Sequence, residues 1–166
     1  MKPSVYIESS VISYLTSRPS RDLITAANQE LTREWWERRL PLFRAAVSET
    51  VLNEIRQGDN AAAAKRLEAI EGIPVLPLRE DAMRLAQVIL QSGALPAKAA
   101  ADALHVALGS VYGMDYLLTW NCTHIANAGI QRDLMRIIAS NGFEMPVICT
   151  PQELMGDDGH VERPDS

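Results

Sequence analysis

Short, nearly uninterrupted apolar runs alternate along this chain with longer stretches whose apolar residues recur every three or four positions. Ser4–Ile7 and Ala45–Ser48 read as strands, as do Ile73–Leu78, Asp115–Trp120 and Val147–Thr150. Runs this short, without polar alternation, suit strands buried on both faces of a parallel sheet. Between them, Asp22–Arg39 carries helical periodicity around Trp35 and Trp36, and Ser48–Ile55 places Val51, Leu52 and Ile55 on one apolar stripe. Asn60 is positioned to cap a helix over Ala61–Ile70. Glu80–Gln91 mixes Met83, Ala86, Val88 and Leu90 in helical fashion. Ala99–Val111 sets Leu104, Ala107, Leu108 and Val111 at four, seven, eight and eleven positions after Ala100, a clear helical stripe. Thr150-Pro151-Gln152-Glu153 has the form of a capping box with proline at the first helical position, which predicts a short final helix stopped by Gly156. Strands alternating with helices predict a mostly parallel sheet covered on both faces.

Length changes this picture little: 166 residues suffice for one domain with a core and are few for two. The domain is expected over residues 1–155, with the polar, Gly- and Pro-punctuated stretch 156–166 as a mobile tail. No apolar run approaches the roughly 18–20 residues that cross a bilayer. The start, Met-Lys-Pro-Ser-Val-Tyr-Ile, reaches charge and structure too soon for a secretory leader, so a cytoplasmic protein is expected. Cys122 and Cys149 make neither a disulfide framework nor a zinc motif and read as two buried small hydrophobes. The net charge of −5 argues against broad electrostatic binding of nucleic acid. It does not exclude a nuclease, because a cation held by clustered carboxylates is missing from that count.

The candidate chemistry lies in four polar residues beside apolar runs: Glu8, Glu54, Asp102 and Asn121. Glu8 ends the first strand and Asn121 the fourth, where the crevice of an open α/β sheet lies. Glu54 borders the stripe of its helix, and Asp102 sits near the start of the apolar helix over Ala99–Val111. A carboxylate at the border of a buried face is costly without a cation or donor to compensate it. Three such acids are the ligand type that Mg²⁺ or Mn²⁺ prefers, which marks the chain as a candidate metal-dependent hydrolase. Taken singly, each acid also reads as a cap or surface charge, and Glu49 and Asp115 are read that way. His105 shares a helix face with Asp102 and reads first as a packed helix histidine, with a ligand or base as the alternative. His124, just past the fourth strand, is an accessory candidate. Arg18 and Arg21, flanking Pro19-Ser20, are candidate phosphate contacts and equally plain surface residues. Trp35 and Trp36 offer a base-stacking surface, or one core residue and one subunit contact.

Four segments resemble the PIN domain, and in particular the VapC-like toxins of bacterial toxin–antitoxin pairs. They are Val5–Tyr14, Ser48–Ile55, Ala100–Leu108 and Asp115–Asn121, which together reach across most of residues 4–150. The resemblance implies a three-layer α/β/α sandwich and a Mg²⁺- or Mn²⁺-dependent ribonuclease acting on RNA. It also implies a homodimer silenced by a cognate antitoxin protein. By that likeness Glu8 takes the place of the first family acid, usually Asp. Glu54 and Asp102 match the second and third, and Asn121 stands where the family usually has Asp. Ser10 and Thr119 match hydroxyl positions near the metal. Glu8 adds a methylene, and Asn121 keeps an oxygen but removes a charge. A non-catalytic PIN-like interaction module is therefore the competing reading. A hydrolase of small phosphoesters is a third, and no glycine-rich phosphate loop supports nucleotide binding.

Overall fold

The computed structural model describes residues 1–123, 125 and 127–156. Five parallel strands form one sheet in the order β3-β2-β1-β4-β5. They are β1 (Ser4–Ile7), β2 (Arg44–Ser48), β3 (Val75–Leu76), β4 (Tyr116–Leu118) and β5 (Val147–Cys149). The helices are α1 (Ser9–Thr16), α2 (Leu23–Arg38), α3 (Glu49–Ile55), α4 (Asn60–Ala69), α5 (Glu80–Gln91), α6 (Ala100–Val111) and α7 (Ala128–Ser140), with 3₁₀ turns at Leu40–Leu42 and Ala97–Ala99. β1 pairs with β2 on one side and β4 on the other, Val5 opposite Ala45 and Tyr6 opposite Leu117. Right-handed crossovers from β1 to β3 and back from β3 to β5 place α1–α4 on one face and α5–α7 on the other. The helix packing agrees: α1 meets α2, α3 and α4, while α5 meets α6 and α7. The predicted parallel α/β sandwich is what forms.

The central strands are apolar throughout because both faces are covered: Val5, Tyr6, Ile7, Val47, Leu117 and Leu118 are fully buried. Each such side chain contributes roughly 1.5–3 kcal/mol by leaving water. α6 lies close to the sheet at Gly109, where a Cβ would stand 3.1 Å from the Pro146 ring. No helix among the described residues is long and apolar enough to cross a membrane.

Several local expectations are corrected. Asn60 is the first helical residue of α4, and Asp59 caps it by accepting from the Ala62 amide. The capping box at Thr150 forms both of its bonds, Thr150 amide to Glu153 and Glu153 amide to the Thr150 hydroxyl. The chain there makes only a turn, because Gly156, at φ 73°, follows Pro151 by five residues and nucleation is costly over so short a stretch. β3 is two residues long rather than six, since only Val75 and Leu76 find partners on β2. Helices α1 and α7 were not predicted. Cys149 is buried as expected, but Cys122 is exposed. Trp35 is core and donates its indole N–H to the Leu154 carbonyl, whereas Trp36 is half-buried. The expected tail lies, apart from Gly156, outside the described residues.

Candidate active site

Strand order reverses between β1 and β4, each of which leads away from the other to its next neighbour. The loops leaving the carboxyl ends of two such strands diverge and leave a crevice, the usual ligand site of an open α/β sheet. Glu8 leaves β1 there and Thr119 to Asn121 leave β4. The Glu8 amide donates to the Leu118 carbonyl at 3.0 Å, continuing the ladder by one residue. The two exits are therefore held side by side.

Glu8 caps α1, one carboxylate oxygen accepting from the Ser10 amide at 2.5 Å and the other from the Thr119 hydroxyl at 3.3 Å. Ser10 Oγ accepts from the Trp120 amide, and Thr119 Oγ1 accepts from the Asn121 amide at 3.0 Å. Asn121 Nδ2 then donates to Asp102 Oδ1 at 2.9 Å, reaching across from the β4 loop to the first turn of α6. Glu8, Thr119, Asn121 and Asp102 are thus one bonded series, with both hydroxyl candidates, Ser10 and Thr119, inside it. Glu8 is only 6% exposed. Burial pushes its carboxyl above the ordinary range, and the His105 field and Ser10 donors offset this only in part.

Glu54 belongs to a second series. Its Oε1 accepts from the Ser9 hydroxyl and meets His105 Nε2, both at 2.6 Å. His105 Nδ1 meets the Tyr6 hydroxyl at 2.6 Å, and Tyr6 meets Ser48 Oγ at 2.7 Å. Ser48 also caps α3 by accepting from the Val51 amide. Burial would raise Glu54, yet the His105 bond and charge, with Ser9, hold it below the ordinary range. Burial would lower His105, but Glu54, helped by the charges of Glu8 and Asp102, raises it. Tyr6 is driven far above its usual range by burial and stays a neutral hydroxyl. His105 is indeed packed in a helix, but it is also an electrostatic neighbour of all three acids.

The two series meet at the first turn of α1, where Ser9 reaches Glu54 and Glu8 and Ser10 reach the β4 loop. All four predicted residues therefore border one crevice. A hard divalent cation suits part of this donor set: Glu8 is a buried carboxylate held by amide and hydroxyl donors, and Asp102 and Asn121 add oxygens of the right type. Among the described residues no three Asp, Glu, His or Cys side chains converge to ligate one ion together. The acids best placed for a cation are Glu8 and Asp102, with Glu54 already engaged by His105. Arg18 and Arg21 are exposed. Arg18 follows the eight-residue α1, which at 1.5 Å per residue carries it about 12 Å from the Glu8 end. His124 lies outside the described residues. Tyr6, Ser9 and Ser48 were not anticipated. Their signal was a polar-tipped aromatic in the middle of a buried strand, a serine at the cap of α3 and a serine at the first position of α1.

No known family profile and no curated protein matches the sequence. Solved structures do. VapBC2 from Rickettsia felis, crystallised with a DNA fragment from its promoter, matches with a TM-score of 0.50 at 11% identity, over 89% of this chain and 98% of that one. Mycobacterium tuberculosis VapC20, described as a Sarcin-Ricin loop cleaving toxin, matches with a TM-score of 0.53 at 16% identity, over 86% of this chain and 99% of that one. The fold is that of a VapC-like PIN domain. In this PIN fold the β1/β4 crevice carries the acids, and an amide, Asn121, stands beside Asp102.

Proposed function

We propose that this PIN-fold chain is a metal-dependent endoribonuclease, the toxin of a toxin–antitoxin pair. The observation that carries the reading is the convergence of Glu8, Asp102, Asn121 and Glu54 on the crevice where β1 and β4 diverge. The likeness to VapC20, an RNA-cleaving toxin, supports RNA as the substrate, and the likeness to VapBC2 supports an antitoxin partner. A homodimer is part of the same reading.

Glu8 and Asp102 would hold Mg²⁺ or Mn²⁺, with the Asn121 side-chain oxygen as a third donor. When bound, the cation would polarise a phosphodiester oxygen and lower the pKa of a water. Glu54, kept ionised by its donors, would accept a proton from the attacking water or orient it. Ser10 and Thr119 hold Glu8 and the β4 loop in register. One cation is favoured over two because Asn121 adds no charge. The alternative reading, a non-catalytic interaction module, draws on the same bonds: Glu54 and Asp102 already have partners within the protein. The deciding experiment incubates the protein with a labelled single-stranded RNA, with Mn²⁺ or EDTA, beside Asp102→Asn. Cleavage that needs Mn²⁺ and disappears in the variant supports the enzyme. No cleavage and no Mn²⁺ binding by calorimetry supports the module.

A further inference from the structure

The mechanism above leaves unexplained a buried series of side chains behind Glu54. Ser48 ends β2, Tyr6 sits in the middle of β1, His105 is on α6 and Glu54 on α3, and they bond in that order at 2.7, 2.6 and 2.6 Å. Tyr6 and Ser48 are fully buried, and His105 is 1% exposed. We propose that His105 is a positioning residue that fixes the Glu54 carboxylate through Nε2–H, with Tyr6 and Ser48 holding the ring from behind. The proposal rests on the hydrolytic reading of the acid crevice.

A histidine that only filled space would need no side-chain partner on both nitrogens. Here each nitrogen bonds a different element, so the ring braces the sheet against α3. The direction of the series follows from satisfying every buried polar atom. Ser48 Oγ already accepts from the Val51 amide at 3.1 Å, so its own proton goes to the Tyr6 oxygen. On the neutral ring the Tyr6 proton then faces Nδ1, which accepts, and the ring proton sits on Nε2, aimed at Glu54; a protonated ring keeps the same Nε2–H on Glu54. With the series reversed, Ser48 would accept twice and its buried proton would have no acceptor among the described residues. The cap that starts α3 therefore also sets the tautomer that holds the acid α3 carries. Ser9 and His105 both take Oε1. Oε2 is left for the attacking water, and the Glu54 side chain is a third exposed. Partners that hold a metal-site residue from behind typically change activity by about 10- to 100-fold when removed.

The test begins on the unaltered protein with ¹⁵N-labelled histidine: the resonances of His105 should show a proton on Nε2. A proton on Nδ1 alone overturns the proposal. Two variants follow. His105→Gln extends an amide N–H to Glu54, whereas His105→Asn is too short and reaches only toward Tyr6. On single-stranded RNA with Mn²⁺, His105→Asn should lose about 10- to 100-fold in kcat with KM little changed, and His105→Gln should recover most of it. Tyr6→Phe, which frees the ring but keeps Nε2, should fall between. Equal, wild-type values for the Gln and Asn variants overturn the proposal and leave the ribonuclease reading standing. If both variants fail to fold, the histidine spectrum and Tyr6→Phe decide. If the wild type neither cleaves RNA nor binds Mn²⁺, the ribonuclease reading fails. Positioning is then judged by whether Tyr6→Phe moves the ¹³C carboxyl resonance of Glu54, and an unmoved resonance overturns it.

Discussion

Glu8 and Glu54 face the same crevice from either side of the first turn of α1, yet their surroundings move their proton affinities in opposite directions. Glu8 is buried among an amide and hydroxyls, and burial wins, raising its pKa. Glu54 is a third exposed, and its bond to an imidazole and a serine wins, lowering it. Burial raises both carboxylates, and what separates them is His105, which bonds Glu54 directly and reaches Glu8 only through its field. One half of the crevice therefore holds an acid that protein groups compensate fully, and the other an acid that a cation would complete.

The largest test of that contrast is Asp102→Asn. Activity on RNA should fall to the level of buffer. In EDTA the variant should melt at or above wild type, because one of the like charges near Glu8 and Glu54 is gone. A lower melting temperature in EDTA breaks the picture of mutually repelling acids. Asn121→Asp should act in reverse. It replaces the Nδ2 donor 2.9 Å from Asp102 with a second carboxylate. The melting temperature should therefore drop in EDTA and recover with Mn²⁺, at about 2–4 °C per kcal/mol for a domain of this size. Its calorimetric Mg²⁺ affinity should also rise, and an unchanged affinity would separate Asn121 from the cation.

The protein-compensated half is tested by Tyr6→Phe, which leaves His105 Nδ1 without its donor and the Ser48 proton without its acceptor. Urea unfolding should show a loss of about 1–3 kcal/mol, the cost of a buried unsatisfied polar group. Ser9→Ala removes one of two donors to Glu54 Oε1, and a loss of about 1 kcal/mol is expected by the same measurement. The smallest effect is a control at the opposite ends of the same strands. Asp115 accepts from the amide and hydroxyl of Ser4, bonds that lower its pKa below 3.8. A lowered folded value means stability present above the unfolded pKa and lost as pH falls through the folded one. Asp115→Ala should thus flatten the acid limb of the stability profile below about pH 4 and leave Mn²⁺ binding untouched.

Much of the architecture was legible from residue pattern. β1 and α5 have the predicted bounds, and α2 differs by its capping Asp22 and its last residue. β1 is a fully apolar run, α5 a strongly periodic one, and α2 adds a side-chain cap at Asp22. α1 was missed because its cap is a glutamate, outside the Ser, Thr, Asp and Asn set that signals a helix start. α7 carried a readable signal, Asn127 as cap and Ile130, Leu134 and Ile138 at spacings of four, which the stronger strand pattern around it overshadowed. Of the candidate site, Glu8, Glu54, Asp102 and Asn121 were singled out from their edges on apolar runs. Tyr6 and Ser48 were not, because inside a strand and at its end they look like packing and capping residues.

The sequence by itself determined a parallel α/β domain and marked four polar candidates at its carboxyl edge, since both follow from short uninterrupted apolar runs, a period of about 3.6 residues and local polarity. Only the tertiary structure decided how those residues divide. Glu54 meets His105 across 51 positions of sequence, and Tyr6 meets it across 99. No local period carries such a contact. It exists because the strand order brings β1 and β2 beneath α6, and a buried hydroxyl and imidazole must then bond each other or lose their hydrogen bonds altogether.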